Sequence, residues 1–422
     1  MSEADTTLDT GTGYGMKPVV QAKPHLTQVG PGTPMGELMR RYWQPFYVDA
    51  ELQSDRPHRV RLLGENLIAF RDKQGRPGLV YEHCNHRGTS LYYGRVEEDG
   101  IRCCNHGWLF DCKGNCVEQP AEVAGGRARQ RYRQPWYPVV EHYGLLWAYM
   151  GPPAKKPLPP RWAHLEDLAD DEYLEARSVR GYGPDLGTDM PMLDINWLSS
   201  IEQSVDGAHV PWLHYQHSGD QFTGVKLVEK DEADAPPYGK VREVVAGMVA
   251  ERTELGVKQG FPMIAPNGMA VLSCNETIIP DCAYIAGFID MAFFVPADDE
   301  HHLGFQLWRT KKGESHEAIS EVHDGKTWWE MSEREHQEMP GDYEAQSSMP
   351  APASNFEHFA QSDMAIVLWR RQLESAIKDV EEGRDPPGIN FDPDAPPRVT
   401  AGFGIRPLLP EEMKGNFAIP AE

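Results

Sequence analysis

The reading of this chain turns on two short stretches: Cys84-Asn85-His86, and then, after sixteen intervening residues, Cys103-Cys104-Asn105-His106-Gly107-Trp108. The first is a C-x-H pair and the second a C-x-x-H pair. Both lie near the ends of expected strands, where a tight loop aims two side chains at one point. Cys103, not Cys104, has the two-residue spacing to His106. Two thiolates and two imidazoles suit either of two metal centres. Tetrahedral zinc takes such a set, but its ligands usually come as Cys with Cys and His with His in sequence. Here each half carries one of each. That favours a [2Fe–2S] cluster with one iron on two thiolates and the other on two imidazoles. Neutral imidazole donates less charge than thiolate, so such a cluster has a raised reduction potential, about −150 to +300 mV. It can accept electrons from a ferredoxin-type donor and pass them on.

Around these pairs the chain reads as short strands. Residues 59–63 and 66–70 flank a turn at Gly64-Glu65, residues 79–81 and 101–103 are further strands, and 136–150 supplies more. Residues 35–43 form a helical pattern at the end of an N-terminal arm, 1–45. Residues 151–160 are Pro- and Lys-rich and read as a linker. Beyond it, helix patterns at 196–205 and 363–382 alternate with strand patterns at 241–254, 269–279, 284–294 and 304–308. Segregated helices and strands indicate an α+β layer. The polar segment 331–353 reads as a functional loop.

A second constellation lies at Asp206, His209 and His214, a D-x-x-H-x-x-x-x-H pattern after Asn196-Trp197. Asp206 and His209 are three apart and share a helix face. Pro211 breaks a regular helix, and that break turns His214 back toward His209. Two histidines and a carboxylate on one face of iron(II) leave positions open, the arrangement of non-haem iron oxygenases. Alone, such a trio is commonly a surface or core feature. Beside a one-electron carrier in the same chain, it gains a purpose.

Of the seven cysteines, five fall between 84 and 116, and the odd total suits metal ligation better than disulfides. Cys112 and Cys116 read as small buried residues, and His83 as a supporting or surface residue. The net charge of −23 argues against nucleic acid and anionic membranes as partners. It suits a solvated surface, or a basic electron donor. The polar, acidic start and the lack of any ~20-residue apolar run lead to the expectation of a cytoplasmic protein.

The sequence is similar to the Rieske non-haem iron oxygenases, specifically the phthalate-dioxygenase-like group. The similarity rests on Val29-Gly30-Pro31-Gly32-Thr33-Pro34-Met35-Gly36, Arg40-Arg41-Tyr42-Trp43-Gln44-Pro45, both cluster motifs, and Leu146-Trp147-Ala148-Tyr149-Met150-Gly151. It continues through Asn196-Trp197 to His214, Ser362-Asp363 and Arg370-Arg371. The resemblance implies a Rieske-type β domain, here 46–155, and a helix-grip-like antiparallel catalytic domain, here 156–422. It implies Cys84, His86, Cys103 and His106 as cluster ligands, and His209 and His214 as ligands of a mononuclear Fe(II). It implies Asp206 as a bridge between a cluster histidine, His106, of a neighbouring subunit and His209. Spacing alone does not select the third iron ligand. The family-like stretch Gly341 to Met349 favours Asp342, with Asp363 second. Gln203 stands where many relatives carry Asn.

The resemblance further implies an NADH-dependent reductase or ferredoxin as donor, O₂ and an aromatic small molecule as substrates, and a trimeric ring or a dimer of trimers. The chemistry expected is O-demethylation of a methoxylated aromatic acid, as in the dehydrodivanillate demethylases. The second reading is cis-dihydroxylation of a phthalate-like ring, and a remote third is a zinc-stabilised binding protein. Phe222, Phe261 and Met263 read first as core packing and second as candidate pocket residues.

Overall fold

The structure is a computed structural model, and it describes residues 21–180, 190, 192–218, 247–264, 270–285, 289–316, 321–323, 326–401 and 404–408. Three small antiparallel sheets occupy its first part. One pairs Trp43–Val48 with Leu145–Tyr149, and that strand with Val139–His142. A second runs His58–Leu62, Glu65–Arg71, Pro77–Tyr81 and Trp136–Tyr137. The third runs Arg95–Glu97, Gly100–Arg102, Leu109–Phe110 and Cys116–Glu118.

The turn between the first two strands of the second sheet sits at Leu63-Gly64, one residue earlier than the sequence suggested. Both residues have positive φ, 47° and 80°. Two positive φ values in a two-residue loop match the right-handed twist of the paired strands. Tyr143-Gly144 repeats the device between Val139–His142 and Leu145–Tyr149.

The second part is built on one large antiparallel sheet. Its order is Glu172–Ser178, His302–Lys311, Ile289–Pro296, Cys282–Ile285, Ala270–Ile278, Gly256–Ile264 and Val249–Arg252. The expected single strand at 284–294 is two strands of this sheet. The site helix Trp197–Val205 packs against its central strands, and the long helix Met364–Glu381 packs on Val249–Arg252 and Gly256–Ile264. Asn196 caps the site helix, its Oδ1 accepting from Leu198 N at 2.9 Å. The architecture is α+β, with helices over an antiparallel sheet.

One hydrophobic core runs through both parts, from Phe46 and Trp147 to Trp197, Phe293 and Trp369. The Trp147 and Phe293 rings meet edge to face at 5.2 Å. The stretch 151–160 is held in place along this core: Trp43 Nε1 donates to the Pro157 carbonyl and Leu158 N to that of Asn390, both at 2.9 Å.

Two further expected elements differ. The helix expected over 35–43 is Pro34–Met39: Thr33 caps its start, Pro34 fills its first position, and the chain enters a strand at Trp43. The expected loop 331–353 holds two helices, Glu333–Glu338 and Asp342–Ser347. Ser332 and Glu335 exchange capping bonds, which fixes the first of them without any long apolar run.

Candidate metal centres

Two loops of the same construction carry the first centre. Cys84 N donates to the Thr89 carbonyl and Gly88 N to that of Cys84, at 2.9 and 2.8 Å. Cys103 N donates to the Trp108 carbonyl and Gly107 N to that of Cys103, at 2.9 and 3.1 Å. Gly88 and Gly107 close the loops at φ 78° and 73°, a conformation that glycine adopts without strain. The signal was present in the sequence, since each cysteine stands four residues before a glycine. Asn105 Nδ2 ties the loops together by donating to Thr89 Oγ1 at 2.9 Å.

The two sulfurs and the two imidazoles form separate pairs. The His86 and His106 rings lie 4.6 Å apart, edge to face, and Trp108 stacks on His86 at 4.4 Å. The Cys84 thiol donates to the Cys103 sulfur, which lowers Cys103 and raises Cys84. Burial lowers His86, keeping it neutral and able to bind a metal. Beneath the first loop, buried Gln134 donates to the Tyr81 and His83 carbonyls and accepts from Asn85 N, all within 2.9 Å. Nothing in the sequence marked Gln134. His83 is exposed and bonds the Gly88 carbonyl through Nδ1. Cys104 is exposed, Cys116 buried, and Cys112 half-buried beside Asp72.

The spacing argues against zinc here. Ligands of one tetrahedral zinc lie at most about 4.6 Å apart, twice a bond length. Among the described residues, no three of Cys84, His86, Cys103 and His106 offer donor atoms all within 4.8 Å of one another. A sulfur pair and an imidazole pair held apart fit the two irons of a [2Fe–2S] cluster.

The close set is His209, His214 and Asp342, whose ligand atoms all lie within 4.8 Å of one another. Asp342 Oδ1 is 3.5 Å from His209 Nε2 and 3.1 Å from His214 Nε2. Asp342 opens its helix, and Gln203 Nε2 donates to its Oδ1 at 2.9 Å. Gln203, whose part was open from sequence, thus orients the carboxylate. Asp363 begins the long helix and is outside the trio.

Pro211 does not break the chain. The turn His209–Pro211 runs directly into a π-helical turn, Trp212–His217. In an α-helix, residues five apart point roughly 140° from each other. Wider π winding, with its i to i+5 bonds, brings the fifth residue back toward the first. Pro211 lies in the opening turn, where its missing N–H costs nothing. The site helix also ends before Asp206, which caps it with non-helical ψ of 89°. Asp206 and His209 therefore share no helix face. The Asp206 carbonyl meets His209 Nδ1, fixing the lone pair on Nε2, while its carboxylate accepts from Ala208 N at 3.0 Å. Burial raises Asp206 and lowers His209.

A cavity of about 210 Å³ opens beside this trio. Phe261, Phe294, Ile285 and Ile289 give it apolar walls, and His209, His214 and Asp342 line it. Phe222 and the Met263 side chain lie outside the described residues. Gly207 touches the wall: a Cβ there would sit 2.2 Å from Phe261 Cδ1. His302, also on the wall, bonds the Ile195 carbonyl through Nδ1 at 2.9 Å, and burial lowers it to about 4. A carbonyl only accepts, so Nδ1 carries the proton and Nε2 is an acceptor.

Comparison with known proteins agrees with this geometry. Residues 42–140 match the Rieske [2Fe-2S] domain family. The chain is 43% identical over 386 residues to a phenoxybenzoate dioxygenase subunit alpha of Ectopseudomonas oleovorans, covering 90% of each. It is 31% identical over 386 residues to a 5,5'-dehydrodivanillate O-demethylase oxygenase subunit of a Sphingobium species, covering 87% of this chain and 82% of that one. Its fold resembles a Pseudomonas putida protein solved with caffeine, with a TM-score of 0.56 at 18% identity, over 86% of this chain and 99% of that one. Among the described residues, no helix is long and apolar enough to cross a membrane. A mixed Cys/His cluster site, a two-histidine-one-carboxylate centre and these relatives converge: the chain belongs to the Rieske non-haem iron oxygenases, as an oxygenase subunit.

Proposed function

We propose that this chain is the oxygenase component of a multicomponent system that oxidises an aromatic acid with O₂ and NADH-derived electrons. An NADH-dependent reductase or a ferredoxin is the donor. The favoured reaction is O-demethylation of a methoxylated aromatic acid. The observation carrying this reading is the aromatic- and aliphatic-walled cavity directly beside His209, His214 and Asp342. The 43% and 31% identical relatives are named for phenoxybenzoate and dehydrodivanillate, both aromatic acids with oxygen on the ring. Cis-dihydroxylation is the second reading, favoured by the name dioxygenase of the first.

In this reading, Cys84, Cys103, His86 and His106 would hold the cluster. His209 Nε2, His214 Nε2 and Asp342 would hold a mononuclear iron(II), a donor set suited to that ion. When bound, the two groups supply one-electron transfer and activation of dioxygen. The chain does the rest. Phe261 and Phe294 strip water from an aromatic ring. His302 Nε2 accepts from a substrate hydroxyl. Gln203 keeps one oxygen of Asp342 aimed at the histidines. Asp206 leaves its carboxylate toward a cluster histidine of a neighbouring subunit in a ring-shaped homo-oligomer. Residues 46–155 and 156–422 are the electron-carrying and catalytic units.

The test is an iron, sulfide and visible-spectrum analysis, followed by turnover with a reductase against a panel of methoxylated and unmethoxylated aromatic acids. Formaldehyde released from the methoxylated members is expected. Cis-diols without formaldehyde would move the assignment to the second reading. Colourless protein without iron after reconstitution would end both.

A further inference from the structure

We infer that the arginine-rich strip at residues 127–133 is a docking rim for an acidic electron-transfer protein that reduces the cluster. The inference rests on the proposed role of the chain as an electron-accepting oxygenase component, and names the surface that role uses.

Within a chain of net charge −23, the segment Val123 to Arg133 carries Arg127, Arg129, Arg131 and Arg133, with no acidic residue. Arg127, Arg131 and Arg133 are exposed and Arg129 is partly so. Among the described residues none of the four pairs with a carboxylate. Arg129 donates to the Gly126 carbonyl at 3.3 Å, and Arg133 to the Lys113 carbonyl at 3.1 Å while lying over Trp136. Lys113 and Arg87 add positive charge nearby, and Glu122 stands at the edge. Elsewhere the neighbouring arginines are neutralised, as Arg102 is by Glu97 and Glu118. Four unpaired guanidinium groups in seven residues create a local field opposite to that of the whole molecule.

The strip adjoins the cluster loops. The Arg133 carbonyl accepts from Asn85 Nδ2 at 2.5 Å, between Cys84 and His86. Tyr132, exposed at 42%, touches Trp108 edge to face at 5.0 Å, and Trp108 stacks on His86 at 4.4 Å. An unbroken series of ring contacts thus leads from Tyr132, near the C-terminal end of the strip, to a cluster histidine. A donor seated there would pass one electron from its reduced iron–sulfur centre into this cluster, with no bond made or broken. The overall charge alone suggested a basic donor. The local charge at the cluster selects an acidic one, because steering is set by the field at the encounter surface.

The experiment uses the full-length, cluster-loaded protein and a reduced acidic plant-type ferredoxin as probe, following the cluster's absorbance by stopped flow. For Arg127→Glu/Arg131→Glu, the second-order rate at low salt is expected to fall about tenfold or more and to lose its dependence on ionic strength. Arg127→Gln/Arg131→Gln, a milder change, should fall between. Reduction by a small uncharged photoreductant should be unchanged in all forms. Equal ferredoxin rates and salt slopes in parent and variants would overturn the proposal. So would a changed oligomeric size with an unchanged rate, which would make the strip a contact between copies of this chain. A protein that the neutral reductant also fails to bleach would instead remove the electron-accepting reading itself.

Discussion

Gln203 reaches the proposed iron site through a carboxylate. Its amide fixes Asp342 Oδ1 between two imidazoles. Outer partners of this kind are worth about 10–100-fold in metal affinity. Gln203→Leu should therefore weaken iron(II) binding by that factor while the cluster spectrum stays intact. Iron retained against a competing chelator measures it, and unchanged retention would deny the orienting role. Asp281 is a second residue with a measurable signature. Burial pushes its carboxyl up to about 8, and its Oδ2 finds no donor among the described residues. An unfolded aspartate releases its proton near ~3.9. Between that value and about 8, the folded chain holds a proton that the unfolded chain has lost. Stability therefore falls as pH rises through this window and levels off above it. Asp281→Asn should flatten the dependence of the urea midpoint on pH over that range; an unaltered slope would count against a protonated Asp281.

Among the elements, the site helix Trp197–Val205 and the long helix Met364–Glu381 are clamped by one buried ion network. Arg370 donates to both oxygens of Glu202 at 2.6 Å and also pairs with Glu357. Arg370 and Glu202 are both under a tenth exposed. Burial raises Glu202 to about 6 despite the guanidinium. Breaking a buried pair from one side leaves an uncompensated charge, at a cost of about 3–5 kcal/mol. Arg370→Met should lose that much in chemical denaturation, and Glu202→Gln in the same chain should restore part of it. If the single variant loses less than about 1 kcal/mol, the clamp is not what seats the helix that precedes Asp206. The π-helical turn matters at the same scale. It reorients His214 by winding, so the order of residues sets the ligands and the pitch sets their direction.

For the whole molecule, the proposed electron route runs from a cluster in one subunit to the iron site of its neighbour. Asp206→Asn should leave cluster and iron contents unchanged and collapse turnover, read as substrate consumed per electron supplied. A mixing experiment separates transfer between subunits from transfer within one. Cys84→Ser removes the cluster and Asp342→Ala the iron site, so each alone should be inactive. Co-expressed in equal amounts, they should regain roughly a quarter of the active sites of a closed ring, because a site then needs its own iron and a neighbour's cluster. No recovery in verified mixed assemblies would place the whole route inside one chain.

The cluster motifs at 84–86 and 103–106, the His209 and His214 pair, and the α+β pattern were legible in sequence because each is local: a spacing, a glycine, an alternation. Asp342 was reached only by resemblance, since 127 residues of chain separate it from His214, and only the packed fold brings the two together. The π turn, the end of the helix before Asp206, the clamp from Arg370 and the His302 wall were decided by tertiary structure alone. Each depends on which distant groups compete for a backbone carbonyl, a carboxylate or buried space, and that competition is settled by packing rather than by the neighbours along the chain.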